Sequence, residues 1–318
     1  MDRDKVAAVI LTYNRQELLK RCLDAVYSQS RACDYVIVID NASDDGTKEM
    51  LLDSDYPALQ LYTISRNIGA AGGFNAGFRL AYQNGADFVW MMDDDVLPEP
   101  EALEHLLEAD AVLAEKGIEH SFLVSSAFTE SGYVTNTPEP SRIKNQIGYR
   151  DWSVLLDQRL VAVDRACFIS ILVPRIILEC YGLPIASMFI WGEDAEFTLR
   201  ISQQAPGFLV GDSRVLHLRQ EGGPIRITSE RNPMRLRYYR NLIRNKLFIA
   251  RKYQPWRRFP LVLFSLIRLL CQLLGNRQFG KAVIVFQGAL SSLYFSPGIE
   301  QVDASIDSLG VEMHQLLP

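Results

Sequence analysis

Four short apolar runs, residues 6–11, 35–39, 59–64 and 88–92, alternate with stretches whose apolar residues recur at helical spacing. Each run has strand length and is continuously apolar, whereas residues 17–29 place Leu18, Leu19, Cys22, Leu23, Val26 and Tyr27 on one helical face. Asp44-Asp45-Gly46-Thr47 makes a turn into a short second helix, and residues 73–82 read as a third. Strands alternating with helices dictate an α/β fold with a mostly parallel sheet and right-handed crossovers. Further on, the pattern predicts helices over 99–116, 175–180 and 195–203, and strands over 122–128, 160–163, 167–173 and 208–211. Residues 129–151 are polar, carry Pro138 and Pro140, and read as a loop or hairpin insertion long enough to suggest function.

In an open parallel sheet, ligands gather outside the carboxyl ends of the strands. Those ends hold Thr12-Tyr13-Asn14-Arg15, Asp40-Asn41, Arg66-Asn67 and the consecutive carboxylates Asp93-Asp94-Asp95. Adjacent carboxylates raise each other's pKa unless a cation or donors offset the charge. Mg2+ or Mn2+, bridging one or two carboxylates to a phosphate, is the economical solution; a solvated turn of capping acids ahead of Pro98 is the alternative. Glu193 and Asp194 open a helix, where they read either as dipole-stabilising caps or as a catalytic base. His217 sits in an apolar setting, which for a lone histidine is usually structural.

The chain has 318 residues, 48% hydrophobic and 22% charged, enough for a large core and two domains. Five cysteines, Cys22, Cys33, Cys167, Cys180 and Cys271, show no CxxC pair or other metal spacing, so free thiols in a reducing compartment are expected. Met1-Asp2-Arg3-Asp4-Lys5 leads straight into a strand rather than into a secretory signal.

The net charge of −5 is unevenly spread. Residues 231–299 contain thirteen Lys or Arg and no Asp or Glu, which points to an anionic partner surface. Within them, 234–253 reads as a long basic helix and 259–274 as an apolar helix carrying only Arg268. The apolar helix is short of the ~20 residues that cross a bilayer, so embedding in the interface fits better; packing on the catalytic domain or on another copy, as a homo-oligomer, is the alternative reading. Tyr238, Tyr239 and Trp256 interleave with the basic residues, but no nucleic-acid module accompanies them and no nucleic-acid partner is expected.

Several motifs together resemble a known family. Ile10-Leu11-Thr12-Tyr13-Asn14-Arg15, Val38-Ile39-Asp40-Asn41-Ala42-Ser43 with Asp45-Gly46-Thr47, and the run from Arg66 and Asn67 through Gly72 and Gly73 to Asn75 look like family 2 inverting glycosyltransferases of the GT-A (Rossmann-like) fold. Asp93-Asp94-Asp95, Trp191-Gly192-Glu193-Asp194-Ala195-Glu196, His217 and Tyr238-Tyr239-Arg240-Asn241 follow in the order of the bacterial galactofuranosyltransferase and rhamnosyltransferase branch. Each motif alone is weak, but their shared order over about residues 5–245 is specific.

The resemblance implies a catalytic region over 1–230, with a nucleotide-sugar half near 1–128 and an acceptor half near 129–230, followed by a C-terminal membrane-associating helical region over 231–318. It implies that Thr12, Tyr13, Asn14, Arg15, Asp40, Arg66, Asn67, Gly72, Gly73, Asp93 and Asp94 bind the nucleotide sugar. Asp93, Asp95 and His217 would hold Mn2+ or Mg2+, and Trp191 would stack on the sugar. Asp194 would be the base of a single inverting displacement; the branch commonly has two aspartates where this chain has Glu193-Asp194. The implied enzyme is peripheral on the cytoplasmic membrane face and moves galactofuranose from UDP-galactofuranose, or rhamnose from dTDP-rhamnose, to a lipid-linked or oligosaccharide acceptor. A non-catalytic nucleotide-sugar or glycan binding subunit is the alternative of another class, disfavoured by the joint presence of Asp93, Asp95, Asp194 and His217. A nucleotidyltransferase would carry a Gly-rich basic loop after the first strand, where this chain has Thr-Tyr-Asn-Arg.

Overall fold

The computed structural model describes residues 3–218, 225–253, 256 and 259–316. β1 (Val6–Thr12), α1 (Gln16–Tyr27), β2 (Tyr35–Asp40), α2 (Thr47–Leu52), β3 (Leu59–Ile64), α3 (Gly69–Gln83) and β4 (Phe88–Asp93) alternate. β3, β2, β1 and β4 lie side by side and parallel. Every residue of β1 is buried because both faces are covered. Leu19, Cys22, Leu23 and Val26 of α1 pack with Ala8 and Ile10, while Phe74 and Phe78 of α3 pack with Val9 and Leu11. At roughly 1.5–3 kcal/mol per fully buried large apolar side chain, these two layers hold the central strand firmly.

The glycines of α3 serve this packing. A Cβ at Gly73 would stand 2.2 Å from Leu11, and one at Gly77 would stand 2.4 Å from Val9. These glycines therefore let the backbone of α3 approach β1 closely.

The later half departs from the mostly parallel expectation. It comprises β5 (Val96–Pro98), α4 (Ala102–Glu115), β6 (Leu123–Phe128), β7 (Val134–Thr135), β8 (Glu139–Pro140), β9 (Leu160–Arg165), β10 (Ile171–Pro174), α5 (Arg175–Tyr181), α6 (Glu193–Ile201) and β11 (Gly207–His217). β10 runs antiparallel to β4 and β6, and β11 is parallel to β6 but antiparallel to β5 and β9. The sheet as a whole is therefore mixed. The strand expected over 208–211 is longer, β11 running on to His217 with an irregularity between Val210 and Arg214. α6 begins at Glu193, earlier than the apolar spacing indicated, because Gly192 turns the chain at φ 122°.

Beyond the sheet come α7 (Pro233–Tyr253), α8 (Phe259–Gly275) and α9 (Phe279–Tyr294), the last not foreseen from the sequence. Leu273, Ala282 and Val285 pack against Tyr239, Ile243 and Leu247 of α7. The chain then returns to the catalytic sheet. β12 (Met313–Leu316) pairs antiparallel with β3, and the buried Arg79 of α3 donates to Ala304 O (2.8 Å) and Ser308 Oγ (2.9 Å). Among the described residues, the segment after α9 thus straps the N-terminal half. All five cysteines are free.

Candidate active site

The carboxyl ends of β1 and β4, the loop after β9, the segment before α6 and the end of β11 surround a cavity of about 450 Å3. The N-terminal half contributes Thr12, Tyr13, Arg15, Asn67 and Asp93 to Asp95; the later half contributes Trp191, Glu193, Asp194 and His217. A volume of this size matches small-molecule sites.

Other expected residues lie off its wall. Asn14, at φ 53°, joins two loops: its backbone N–H donates to Ser43 Oγ (2.9 Å) and its Oδ1 accepts from Asp44 N–H (2.8 Å). Asp40 is buried and accepts from Ser43 N–H (3.0 Å). Arg66 Nη2 reaches toward Gly310 O at 3.4 Å. Gly72 and Gly73 face Ile68 and Leu11, respectively. The cavity instead includes Asn41, the neighbour of Asp40 in its strand-end motif, and Asn136, Cys167 and Phe189, whose scattered positions carry no motif in the sequence.

Arg15 organises the acidic triplet. Its Nη1 donates to Asp94 Oδ1 (3.1 Å) and Asp95 Oδ2 (2.8 Å), and Thr12 Oγ1 donates to Asp94 Oδ2 (2.8 Å). Burial works against the Arg15 charge, but Asp94, Asp95 and Asp93 outweigh it and raise its pKa. Asp94 is pushed up to about 6, chiefly by burial. Burial also acts to raise Asp95, yet His217 and Arg15 outweigh it and hold that carboxyl below its ordinary value. Asp93, buried and beside both neighbours, is pushed well up.

The residues around Asp95 fit a divalent cation. His217 Nδ1 lies 3.0 Å from Asn136 Oδ1, which also accepts from Thr135 Oγ1 (2.9 Å). On its other side, His217 Nε2 lies 3.3 Å from Asp95 Oδ1. That oxygen is buried without a hydrogen-bond partner. A buried carboxylate oxygen without a hydrogen-bond partner, beside a histidine engaged through its other nitrogen, is the kind of donor set that metal sites use. Among the described residues no three His, Cys, Asp or Glu side chains are grouped to hold a metal, so the expected set reduces to Asp95 and His217, with Asp93 on the cavity wall. Mg2+ and Mn2+ sites are commonly completed by substrate phosphates, so two protein ligands suffice.

The second carboxylate pair is presented by strained backbone. Phe189 has φ 66° and ψ −64°, and Ile190 N–H donates to Met188 O (2.8 Å), which closes a γ-turn. Trp191 at φ 62° and Gly192 at φ 122° then lead into α6. Non-glycine residues in such conformations cost on the order of 1–3 kcal/mol each and persist only where their surroundings impose them. Asp194 accepts from Ala195 N–H (2.6 Å), while Glu193 Oε2 is buried without a partner. Burial raises the pKa of both, and the Asp194 charge raises Glu193 further. Trp191 packs edge-on against Tyr238 and Tyr239, with ring centroids 5.9 and 5.0 Å away.

The sequence profile described as Glycosyl transferase family 2 matches residues 7–112, the part that supplies Thr12, Arg15 and the acidic triplet. The chain carries a family 2 glycosyltransferase domain. Galactofuranosyltransferase GlfT1 of Mycolicibacterium smegmatis is 44% identical over 93 residues, covering 29% of this chain and 30% of that protein. GlfT1 of Mycobacterium tuberculosis is 28% identical over 209 residues, 62% of this chain and 64% of that one. The chain therefore matches less than two thirds of the length of either relative. The crystal structure of GalNAc-T7 with UDP, GalNAc and Mn2+ superposes with a TM-score of 0.54 over 77% of this chain and 50% of that one, at 16% identity. The family 2 domain thus has the GT-A fold.

Proposed function

We propose that this protein is an inverting, metal-dependent glycosyltransferase that moves galactofuranose from UDP-galactofuranose to a lipid-linked or growing cell-surface glycan. The observation that carries the reading is one cavity walled by two differently treated carboxylate pairs, Asp94–Asp95 on Arg15 and Glu193–Asp194 on a strained turn. The galactofuranosyl donor is supported by the similarity to GlfT1, and the metal by the Asp95–His217 pair and by Mn2+ in the GalNAc-T7 structure.

Thr12 and Arg15 hold the carboxylates that face the nucleotide diphosphate. Asp95 and His217 would hold a divalent ion, which would supply charge neutralisation for the departing diphosphate. Asp194 accepts the proton of the acceptor hydroxyl as its oxygen bonds to the anomeric carbon and the bond from that carbon to the diphosphate breaks. Trp191 stacks on the sugar.

Titration calorimetry with UDP, dTDP and GDP sugars, each with and without Mn2+, tests the assignment. UDP-galactofuranose should bind most tightly and in a Mn2+-dependent way; preference for dTDP-rhamnose would move the donor, and metal-independent binding would remove the ion.

The acceptor reading rests on α8 and α9. Leu261, Phe264, Ile267, Phe279, Phe286 and Leu293 are exposed on them, amid residues 231–299 that lack any acid. No helix among the described residues is long and apolar enough to cross a membrane. Exposed apolar side chains on helices that also carry Arg268 and Lys281 and no acid suit the anionic lipid of the inner membrane face. Co-sedimentation with anionic vesicles should be lost in the double variant Phe264→Glu/Phe286→Glu and weakened by salt; equal binding to neutral vesicles, or concentration-dependent self-association instead, would make the patch a homo-oligomer interface.

A further inference from the structure

Asn245 of α7 lies outside the cavity, yet its side chain is turned wholly toward the strained segment that presents Trp191, Glu193 and Asp194. The residue is fully buried. Its Nδ2 lies 3.0 Å from Met188 O, 3.2 Å from Ile190 O and 3.0 Å from Trp191 O, so the two amide hydrogens are shared among three carbonyls of one turn. Its Oδ1 accepts from Arg244 Nε (3.0 Å), and Arg244 Nη2 donates to Ser187 O (3.0 Å) and Met188 O (2.9 Å). From the opposite direction, Ala71 N–H at the start of α3 donates to Phe189 O (3.0 Å).

Carbonyls in a γ-turn and in left-handed backbone cannot all enter regular hydrogen-bond ladders, and buried carbonyls without donors are costly. A primary amide answers this arrangement because it offers two N–H groups from one atom. Gly192 shows how tight the fit is: a Cβ there would stand 3.1 Å from Asn245 Cβ. The segment lacks a regular element of its own, so the orientation of Trp191 and the start of α6 are set by what grips it.

We infer that Asn245 is a positioning residue that fixes the turn 188–192, and through it Trp191 and Asp194, against the donor cavity. It acts through those residues and touches no substrate itself. The inference rests on the glycosyltransferase reading for its kinetic consequence, while its structural consequence is independent of that reading. The nucleotide side, built by Thr12, Arg15 and Asp94 on β1 and after β4, makes none of these hydrogen bonds, so donor binding and turnover should separate when Asn245 changes.

Asn245→Asp keeps the shape but replaces the donors with a carboxylate facing three carbonyls; Asn245→Ala removes the amide without adding charge and serves where the aspartate variant does not fold. In the full chain, kcat should fall about 100-fold in either variant, the scale of a displacement near 1 Å, with donor KM changed less than about 2-fold. In 5-fluorotryptophan-labelled protein the 19F resonance of Trp191, assigned with Trp191→Phe, should shift. A folded variant with unmoved resonance and unchanged kcat, or with kcat and KM altered only as the folded fraction falls, would overturn the inference. Should the wild type bind and turn over no nucleotide sugar, the proposed function fails while the Trp191 resonance still decides the role of Asn245.

Discussion

Two buried carboxylate pairs face one cavity, and the protein treats them in opposite ways. Asp94 and Asp95 share the Arg15 guanidinium, and Thr12 and His217 stand against their remaining oxygens. Among the described residues Glu193 and Asp194 have no such cation within ion-pair distance; one oxygen of Glu193 is left without a hydrogen-bond partner and Asp194 leans on a backbone N–H. The supporting backbone differs as well, because the first pair follows a strand locked between β1 and β10 and the second follows a γ-turn. Within the first pair Asp95, held below its ordinary value by His217 and Arg15, keeps its charge and so suits binding, whereas a buried carboxylate without a cation gains by taking a proton.

The largest effect expected from this division is on chemistry. Asp194→Asn should lower kcat by at least ~100-fold, the lower range of a general-base contribution, while UDP-sugar affinity by calorimetry stays near wild type. Near-normal turnover in the folded variant would move the base, with Glu193 the first alternative. The complementary change, Asp95→Ala, should weaken Mn2+-coupled UDP binding by at least ~10-fold, in line with losses seen when metal-site groups are removed. An unchanged Mn2+ dependence would dissolve the contrast between the pairs.

The two regions also differ in how far the sequence reveals them. β1 to β4 are buried on both faces, so their apolar runs stand out, and the strand ends locate Thr12, Arg15 and the triplet directly. The expected compensating partner was a metal; Arg15 as a protein cation for Asp94 and Asp95 depends on loop geometry that periodicity does not encode. Asn14, Asp40 and Arg66 carry the right chemistry at the right strand ends, yet local turn bonds or the returning C-terminal segment engage them. Around the second pair the reach of the sequence is shorter. Trp191 to Asp194 form a recognisable motif, but their placement depends on Asn245, distant in sequence, and His217 depends on Asn136 within a polar insertion. α9 was missed because Gly280 and Gly288 interrupt its helical signal, although Gly288 is needed where a Cβ would stand 2.8 Å from Arg240 O.

A pH profile sharpens the comparison with a smaller change. Asp194 must be ionised to accept a proton, and burial raises its pKa above the ordinary aspartate value. Turnover should therefore be lost as pH falls through that raised value, so the acid limb of kcat lies above the range of an exposed aspartate near 3.9. An acid limb at the exposed value would mean that the pair is solvated in the working enzyme.

The smallest effect concerns stability. Burial and the neighbouring Asp194 charge raise the Glu193 pKa in the folded protein, so at intermediate pH the unfolded chain holds fewer protons than the native one. Stability then falls as pH rises between the ordinary glutamate value and the raised one, the reverse of a salt-bridged carboxylate. Glu193→Gln removes that ionisation, and thermal melts should show it equal to wild type in acid but more stable by about 1 kcal/mol near neutrality, a conservative share of the 1–3 kcal/mol that an unsatisfied buried group costs. The corresponding change on the compensated side, Asp95→Asn, should do the opposite near neutrality, because His217 and Arg15 hold the Asp95 carboxyl below its ordinary value and its ionisation therefore stabilises the fold. If both variants shifted stability in the same direction, the two carboxylate pairs would not be electrostatically distinct, and the assignment of binding to one and proton transfer to the other would lose its physical basis.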